Sequence, residues 1–330
     1  MEVVKFMENV NKIDLLVRVA KLYYEHNYSQ QMIAEELGFS RPYISKLINE
    51  AREVGIVEVK INDPKGAETK LERETREKFG LKKVIVIPRY GNSNANLLEK
   101  LSMATSNYLN TIIQDGDIIG VSWGATLYSC SLNLHPIEEV DNISVVQLCG
   151  AVSMTEKNIY ATEIPKNFAI AYGGTPYFLP LPAVVDNVEA KEAIVKDKNI
   201  DSVLKLGQRS NIAIFSIGPF GHNSTLPRAG YITPEEVDRL LAKGAVGDMF
   251  SRVIDINGNI CDRDIDERTI GIELQDIVKK EYRIGVAGGV RKARSIYAML
   301  IGGYPNVLIT DEETCLEVLK IYESDRDYHK

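Results

Sequence analysis

Cysteine and histidine are scarce in this 330-residue chain, at four each, and tryptophan occurs once. Cys130, Cys149, Cys261 and Cys315 lie far apart and form no C-x-x-C pair, so neither a disulfide framework nor a zinc site is expected. Reduced thiols of this kind point to a cytoplasmic protein. The histidines are equally scattered, which leaves no metal cluster to predict. No apolar run approaches the ~20 residues a membrane span needs, and MEVVKFMENVNK has no apolar signal-peptide core. Nucleophile-elbow and Walker-type phosphate-loop motifs are missing, as is a Ser-His-Asp order. No catalytic residue, cofactor or membrane partner is therefore expected.

Positive charge is also in short supply, with 39 Lys+Arg against 46 Asp+Glu and a net charge of −7. Residues 1–61 hold eight Lys+Arg and nine Asp+Glu, a net −1. Any nucleic-acid affinity must then come from a local patch, with Arg41, Lys46, Arg52 and Lys60 as candidates, and must depend steeply on salt. A weakly basic module also implies that affinity is built by pairing modules in a homo-oligomer, a dimer or tetramer. The remaining composition, 45% hydrophobic and 26% charged, is that of an ordinary globular chain long enough for two domains.

The most informative stretch is Tyr28 to Val57, YSQQMIAEELGFSRPYISKLINEAREVGIV, which reads as helix, sharp turn, helix. Ile33 and Leu37 form the inner face of the first helix, and Gly38 supplies a residue free to take positive φ. Ser40 is an N-cap, and Pro42 falls in the first turn, where its missing N–H breaks no bond. Ile44, Leu47, Ile48 and Ala51 recur at i, i+3, i+4 and i+7, so that stripe is core. The opposite face offers Ser40, Arg41, Pro42, Tyr43, Ser45 and Lys46, residues suited to base edges and phosphates in a major groove, with Ser29 and Gln30 at the start of the preceding helix. The plain alternative is a helical hairpin with a solvated face.

Ahead of this stretch, Ile13, Leu16, Val17, Ala20 and Tyr24 predict a first helix packed beneath the pair. After it, Gly55 ends the helix and Val57, Val59 and Ile61 alternate with Glu58 and Lys60, as a wing strand would. Asn62 to Gly66 breaks both patterns and marks the domain boundary. AETKLERETREKFGL follows as a charged helix, either a signal-passing linker or the first surface helix of the next domain.

From Val84 onward, short β-branched runs alternate with helical stretches: 84–87, 117–122, 143–148, 176–179, 211–218, 282–287 and 306–310. Runs apolar on both faces fit the central strands of a sheet covered by helices such as 95–113 and 291–301, hence a doubly wound α/β domain. Such sheets bind ligands beyond the carboxyl ends of their strands. Two runs end in a strand–glycine–helix turn, Ser122-Trp123-Gly124-Ala125-Thr126 and Gly288-Gly289-Val290-Arg291-Lys292. Free N–H groups, hydroxyls and a lysine there favour a phosphate-bearing ligand, although each turn alone also reads as a tight connection. Residues 245–277 are rich in aspartate, including Asp248 and Asp255. Their spacing matches no calcium loop, so a solvated hairpin around Asn257-Gly258 is expected, with one carboxylate left to meet sugar hydroxyls. Glu163 and Arg268 read as surface ion-pair partners.

Taken together, the motifs YSQQMIAEELGFSRPYISKLI, GDIIGVSWGATLY, VVQLCGAV, YFLPLP, AVGDMFSR, GNICD, RTIGIELQDI and VAGGVRKARSI resemble, in order, those of the SorC-type sugar-binding transcriptional regulators. The similarity is strongest to their deoxyribonucleoside-regulator branch and spans nearly the whole chain. The resemblance implies a winged helix-turn-helix over 1–62 and, over 63–330, an effector and oligomerisation domain sharing the fold of sugar-phosphate isomerases, deaminases and coenzyme A transferases, without implying catalysis. It also implies operator DNA and a phosphorylated sugar as partners. Carried over by motif, the phosphate would meet Ser122, Gly124 and Thr126 on one side and Gly288, Gly289 and Lys292 on the other, with Asp255 facing sugar hydroxyls. Trp123, Cys149, Gly150 and Asp248 complete the expected effector site. The branch tends to carry a lysine at Cys149, whose amine forms an imine with an open-chain sugar. A thiol does not, so Cys149 reads as a small buried hydrophobe and the effector as another pentose, tetritol or hexose phosphate.

The expected protein is a regulator of a carbohydrate or nucleoside catabolic operon. A sugar-phosphate-converting enzyme fused to a DNA-binding module is the alternative, and it lacks an evident general base. A helix-turn-helix serving protein contacts alone would show no salt-dependent DNA affinity.

Overall fold

The computed structural model describes residues 2–57, 68–88, 94–137, 140–152 and 160–328. The chain divides into two compact units, Met1–Ala67 and Glu68–Lys330.

Three helices build the first unit: α1 (Glu2–Tyr24), α2 (Gln30–Leu37) and α3 (Arg41–Glu53). Each break has a local cause. Ser29 caps α2 by accepting the Met32 N–H, Gly38 ends it at φ +72°, and Ser40 caps α3 by accepting the Tyr43 N–H at 3.4 Å. Gly55, at φ +76°, follows the last turn of α3. Leu16, Val19, Ala20, Ile33, Ala34, Ile44, Leu47, Ile48 and Ala51 form one closed core. Burying each of the larger side chains contributes about 1.5–3 kcal/mol, which lets a unit this small hold together without a disulfide. The α1 stripe is rotated from the expected one: Val19 is fully buried, whereas Ile13 is 53% exposed. The expected wing strand, Lys60 and the 62–66 boundary fall at 58–67, outside the described residues.

The second unit is a mixed α/β structure around a seven-stranded, wholly parallel sheet. Its strands are β1 (Lys83–Ile87), β2 (Ile118–Val121), β3 (Ser144–Gln147), β4 (Thr175–Tyr177), β5 (Ile212–Ser216), β9 (Tyr282–Val286) and β10 (Val307–Asp311), in the order β1-β10-β9-β5-β2-β3-β4. Every one lies within or beside an apolar run read from the sequence. In β5, Ile212, Ala213, Ile214 and Phe215 are all buried, as a strand with helices on both faces requires. The chain runs from β2 toward β3 and β4 on one side, and from β5 toward β9 on the other. The order therefore reverses between β2 and β5. The charged helix Lys70–Phe79, closed by a Thr69–Glu72 capping box, packs Phe79 against Tyr297 and Tyr322 and so is a surface helix of this unit.

A second, three-stranded antiparallel sheet of β6 (Gly218–Pro219), β7 (Ala245–Met249) and β8 (Arg252–Asp255) was not legible as strands. Its hairpin turn is Phe250-Ser251. The expected hairpin around Asn257-Gly258 lies beyond it, with Ile254 bridging Ile260 and with Asn257 and Asn259 exposed; Gly258 alone is buried, and its carbonyl accepts the Tyr304 hydroxyl at 2.7 Å. Among the described residues no helix is long and apolar enough to cross a membrane.

Candidate effector cavity and exposed helix face

A cavity of ≈ 200 Å³ opens beyond the carboxyl ends of β2 and β5, where the strand order reverses. Ser122, Trp123, Gly124, Ala125 and Thr126 line it from the turn after β2; Cys149 follows β3, Ser216 ends β5, Ile217 follows it and Gly218 opens β6. Asp248, Phe250 and Ser251 arrive from the small sheet, and Lys292 from the turn after β9.

The turn after β2 is built for an anion. Gly124 sits at φ +121°, which L side chains rarely adopt, and opens the helix Ala125–Leu132, whose N-terminus no side chain caps. The Ser122 hydroxyl is buried without a hydrogen-bond partner. Lys292 Nζ lies 3.5 Å from Thr126 Oγ1. Burial pushes its ammonium pKa down while the Asp248 carboxylate pulls it up. Burial likewise pushes Asp248 up to about 7, against the pull of Lys292. The site thus holds one cation and one carboxyl that are both poorly solvated. Cys149 is 1% exposed, and burial holds its thiol up at about 12, so it stands in the wall as a neutral group.

Four expected residues take other places. Gly289 has no free N–H, because its amide donates to Asp311 Oδ2 at 2.7 Å. Gly288 packs so closely that a Cβ there would meet the same oxygen at 2.8 Å. Both glycines position the loop rather than line the cavity, and of that turn only Lys292 reaches it. Gly150 donates its N–H to Ile270 O, and a Cβ on it would stand 2.3 Å from Pro182 O, so it serves a backbone crossing. Asp255 faces its own turn, where Oδ1 accepts the N–H groups of Asn257 and Asn259, each at 2.9 Å. Arg268 is a buried rather than a surface ion-pair partner, held by Glu236 at 2.7 Å.

Ser216, Phe250 and Ser251 are lining residues not named as site residues from the sequence, although Phe250 and Ser251 lie within the AVGDMFSR motif. Those two form a hairpin turn without the Asn or Gly that usually announces one.

In the first unit, Arg41, Pro42, Tyr43 and Lys46 are exposed at the start of α3, and Ser45 is half-buried. Ser29 and Ser40 are exposed but engaged as caps, and Gln30 is half-buried. The Phe39 and Tyr43 rings lie 5.2 Å apart beside the turn. A groove along α3 is lined by Pro42, Ser45, Lys46, Asn49 and Val54, with a Lys12–Glu50 ion pair along it. Arg52, also exposed, donates through Nε to the Tyr24 hydroxyl at 2.6 Å and lies over that ring.

A parallel α/β sheet with an anion-ready cavity at its switch point defines a small-ligand-binding domain. Comparison with known proteins agrees. Residues 63–320 match the Sugar-bind family model, that of a sugar-binding domain. The chain is 42% identical over 303 residues to the deoxyribonucleoside regulator of Bacillus subtilis, covering 92% of this chain and 96% of that one. It is 31% identical over 315 residues to the sorbitol operon regulator of Klebsiella pneumoniae, covering 95% and 100%. The crystal structure of the full-length sorbitol operon regulator SorC from Klebsiella pneumoniae matches with a TM-score of 0.75 at 30% identity, over 93% of this chain and 98% of that one. The chain belongs to this family of sugar-binding transcriptional regulators.

Proposed function

We propose that this protein controls a carbohydrate or nucleoside catabolic operon by binding operator DNA through its first unit and a phosphorylated sugar in the cavity of its second. The observation that carries the effector reading is the pairing of an uncapped helix N-terminus with a half-buried lysine, Lys292 beside Thr126, at the switch point of the sheet. Ser122, Trp123, Gly124 and Thr126 on one side and Lys292 on the other hold the phosphate end, and Asp248 accepts from sugar hydroxyls. Cys149 forms wall.

In the first unit, α3 enters the major groove with Arg41, Pro42, Tyr43, Ser45 and Lys46, while the start of α2, at Ser29 and Gln30, meets the backbone. A unit with no net positive charge acts in pairs, so the protein is a homo-oligomer and its operator is nearly palindromic. The effector changes DNA affinity only by favouring one arrangement of these pairs over another. The cavity binds its ligand without turnover.

The test is thermal unfolding of the full chain against sugar phosphates and the matching free sugars, followed by DNA binding with and without the hit. A ligand at 100 times its dissociation constant adds about 2.7 kcal/mol of stability. A shift with a phosphate and not with its free sugar supports the reading; turnover of that ligand would overturn it in favour of an enzyme.

A further inference from the structure

We propose that the DNA-reading face of α3 extends beyond Lys46 to Asn49, which reads an adenine, and that Lys12 of α1 keeps this face open to DNA by neutralising Glu50. The inference rests on the operator-binding reading above and names residues that reading leaves out.

Pro42, Ser45, Lys46 and Asn49 stand at i, i+3, i+4 and i+7 on α3, so they share one stripe of the helix. Together they wall a groove of ≈ 640 Å³. Ile44, Leu47, Ile48 and Ala51 on the other side are buried in the core, whereas Pro42, Lys46 and Asn49 are exposed and Ser45 is half-buried. Homeodomain helices read bases from this same spacing, over two turns laid along the major groove. Pro42 and Asn49 are separated by about 10 Å of helix rise, within the roughly 12 Å width of that groove. Asn49 therefore reaches base edges in the pose that brings Pro42 and Ser45 to them. Its amide both accepts and donates, which matches the N6 and N7 groups of adenine in a bidentate pair.

Glu50 borders the same groove, and a free carboxylate there would repel phosphates. Lys12 of α1 forms an ion pair with it, and that bond holds the lysine ammonium above its ordinary pKa. Two lysines, Lys12 and Lys46, against one glutamate give the groove lining a net charge of +1. That is a local reversal of sign in a stretch, residues 1–61, that carries −1. Removing the Lys12 charge would return the lining to zero and leave Glu50 facing the DNA.

The experiment is selection of binding sites from a random duplex pool by the full chain at fixed salt. Titration of the selected duplex and its single-base variants follows, on the parent, Asn49→Ala, Lys12→Gln and the double variant Lys12→Gln/Glu50→Gln. The selected half-site should hold an adenine whose replacement costs the parent roughly 10- to 100-fold and costs Asn49→Ala almost nothing. The Tm of Asn49→Ala should be unchanged or higher, because alanine suits an exposed helix position better. Lys12→Gln should weaken every duplex alike by several-fold, and adding Glu50→Gln should restore the affinity. A purely structural ion pair would instead lower the Tm in both variants and leave DNA affinity alone, which overturns the role of Lys12. Weakening that Glu50→Gln fails to restore overturns that role as well. An Asn49→Ala variant that keeps the parent's preference at every position overturns the reader assignment and leaves the operator reading standing. Selection of no sequence by the parent overturns the operator reading itself.

Discussion

Lys292 Nζ stands 3.5 Å from Thr126 Oγ1, joining two turns that are 166 residues apart in the chain. One turn follows β2 and the other β9, and the contact turns two ordinary strand–helix connections into the two walls of one cavity. The lysine is kept there despite burial that disfavours its charge, with the Asp248 carboxylate the foremost of the groups that offset the penalty.

Lys292→Met should weaken binding of the effector phosphate by about 10- to 100-fold, the worth of one charged hydrogen bond of roughly 1.5–3 kcal/mol. The unliganded variant should be at least as stable as the parent, since a poorly solvated cation has been removed. Calorimetry and thermal unfolding together check this. A variant that binds phosphate normally would remove Lys292 from the site.

Asp248 gives a pH signature. Its carboxyl is held at about 7 by burial, above the ordinary value of 3.8, so the fold favours the protonated form. Its contribution to stability is whole below about pH 4 and is lost as pH rises through 7. Asp248→Asn should therefore match the parent near pH 4 and exceed it at pH 8. After allowance for solvent around the half-buried pair, the margin is of order 1–2 kcal/mol. Denaturant midpoints at the two pH values measure the difference; equal gaps at both would rule the effect out.

The packed turn at Gly258 makes a purely structural prediction. Its φ is +79°, and a Cβ there would stand 2.6 Å from the Cα and N of Gly302 and 2.8 Å from Ala298 O, all backbone. Gly258→Ala should cost more than about 2 kcal/mol, read as a lower urea midpoint, because backbone cannot give way as a side-chain tip can. A turn that was merely solvated would accept alanine for less than about 1 kcal/mol.

At the start of α3 two neighbouring substitutions should separate cap from contact. Ser40→Ala removes the acceptor for the Tyr43 N–H and should lower the stability of the first unit by about 1 kcal/mol. Arg41→Ala touches only an exposed side chain and should leave the Tm unchanged while costing about 1–3 kcal/mol of specific DNA affinity. Unchanged operator binding by the Arg41 variant would remove it from the recognition surface.

Much of this protein follows from local chemistry in the sequence. The central parallel strands were legible because a strand buried on both faces must be apolar throughout, as Ile212 to Phe215 are. The breaks around α2 and α3 were legible because Ser29, Gly38 and Ser40 act through bonds within a few residues of themselves. What only the tertiary structure decided is which polar groups are free. Gly289 carries the right residue type in the right turn, yet its N–H is taken by Asp311 from β10, and one N–H of Arg52 is taken by Tyr24 from α1. Ser251 lies in the AVGDMFSR stretch, yet only the packing of the small sheet against the large one buries it in the wall of the cavity. The physical reason is the same in each case. A side chain's identity fixes which hydrogen bonds it can make, and only the packing of distant elements fixes which of them are already made.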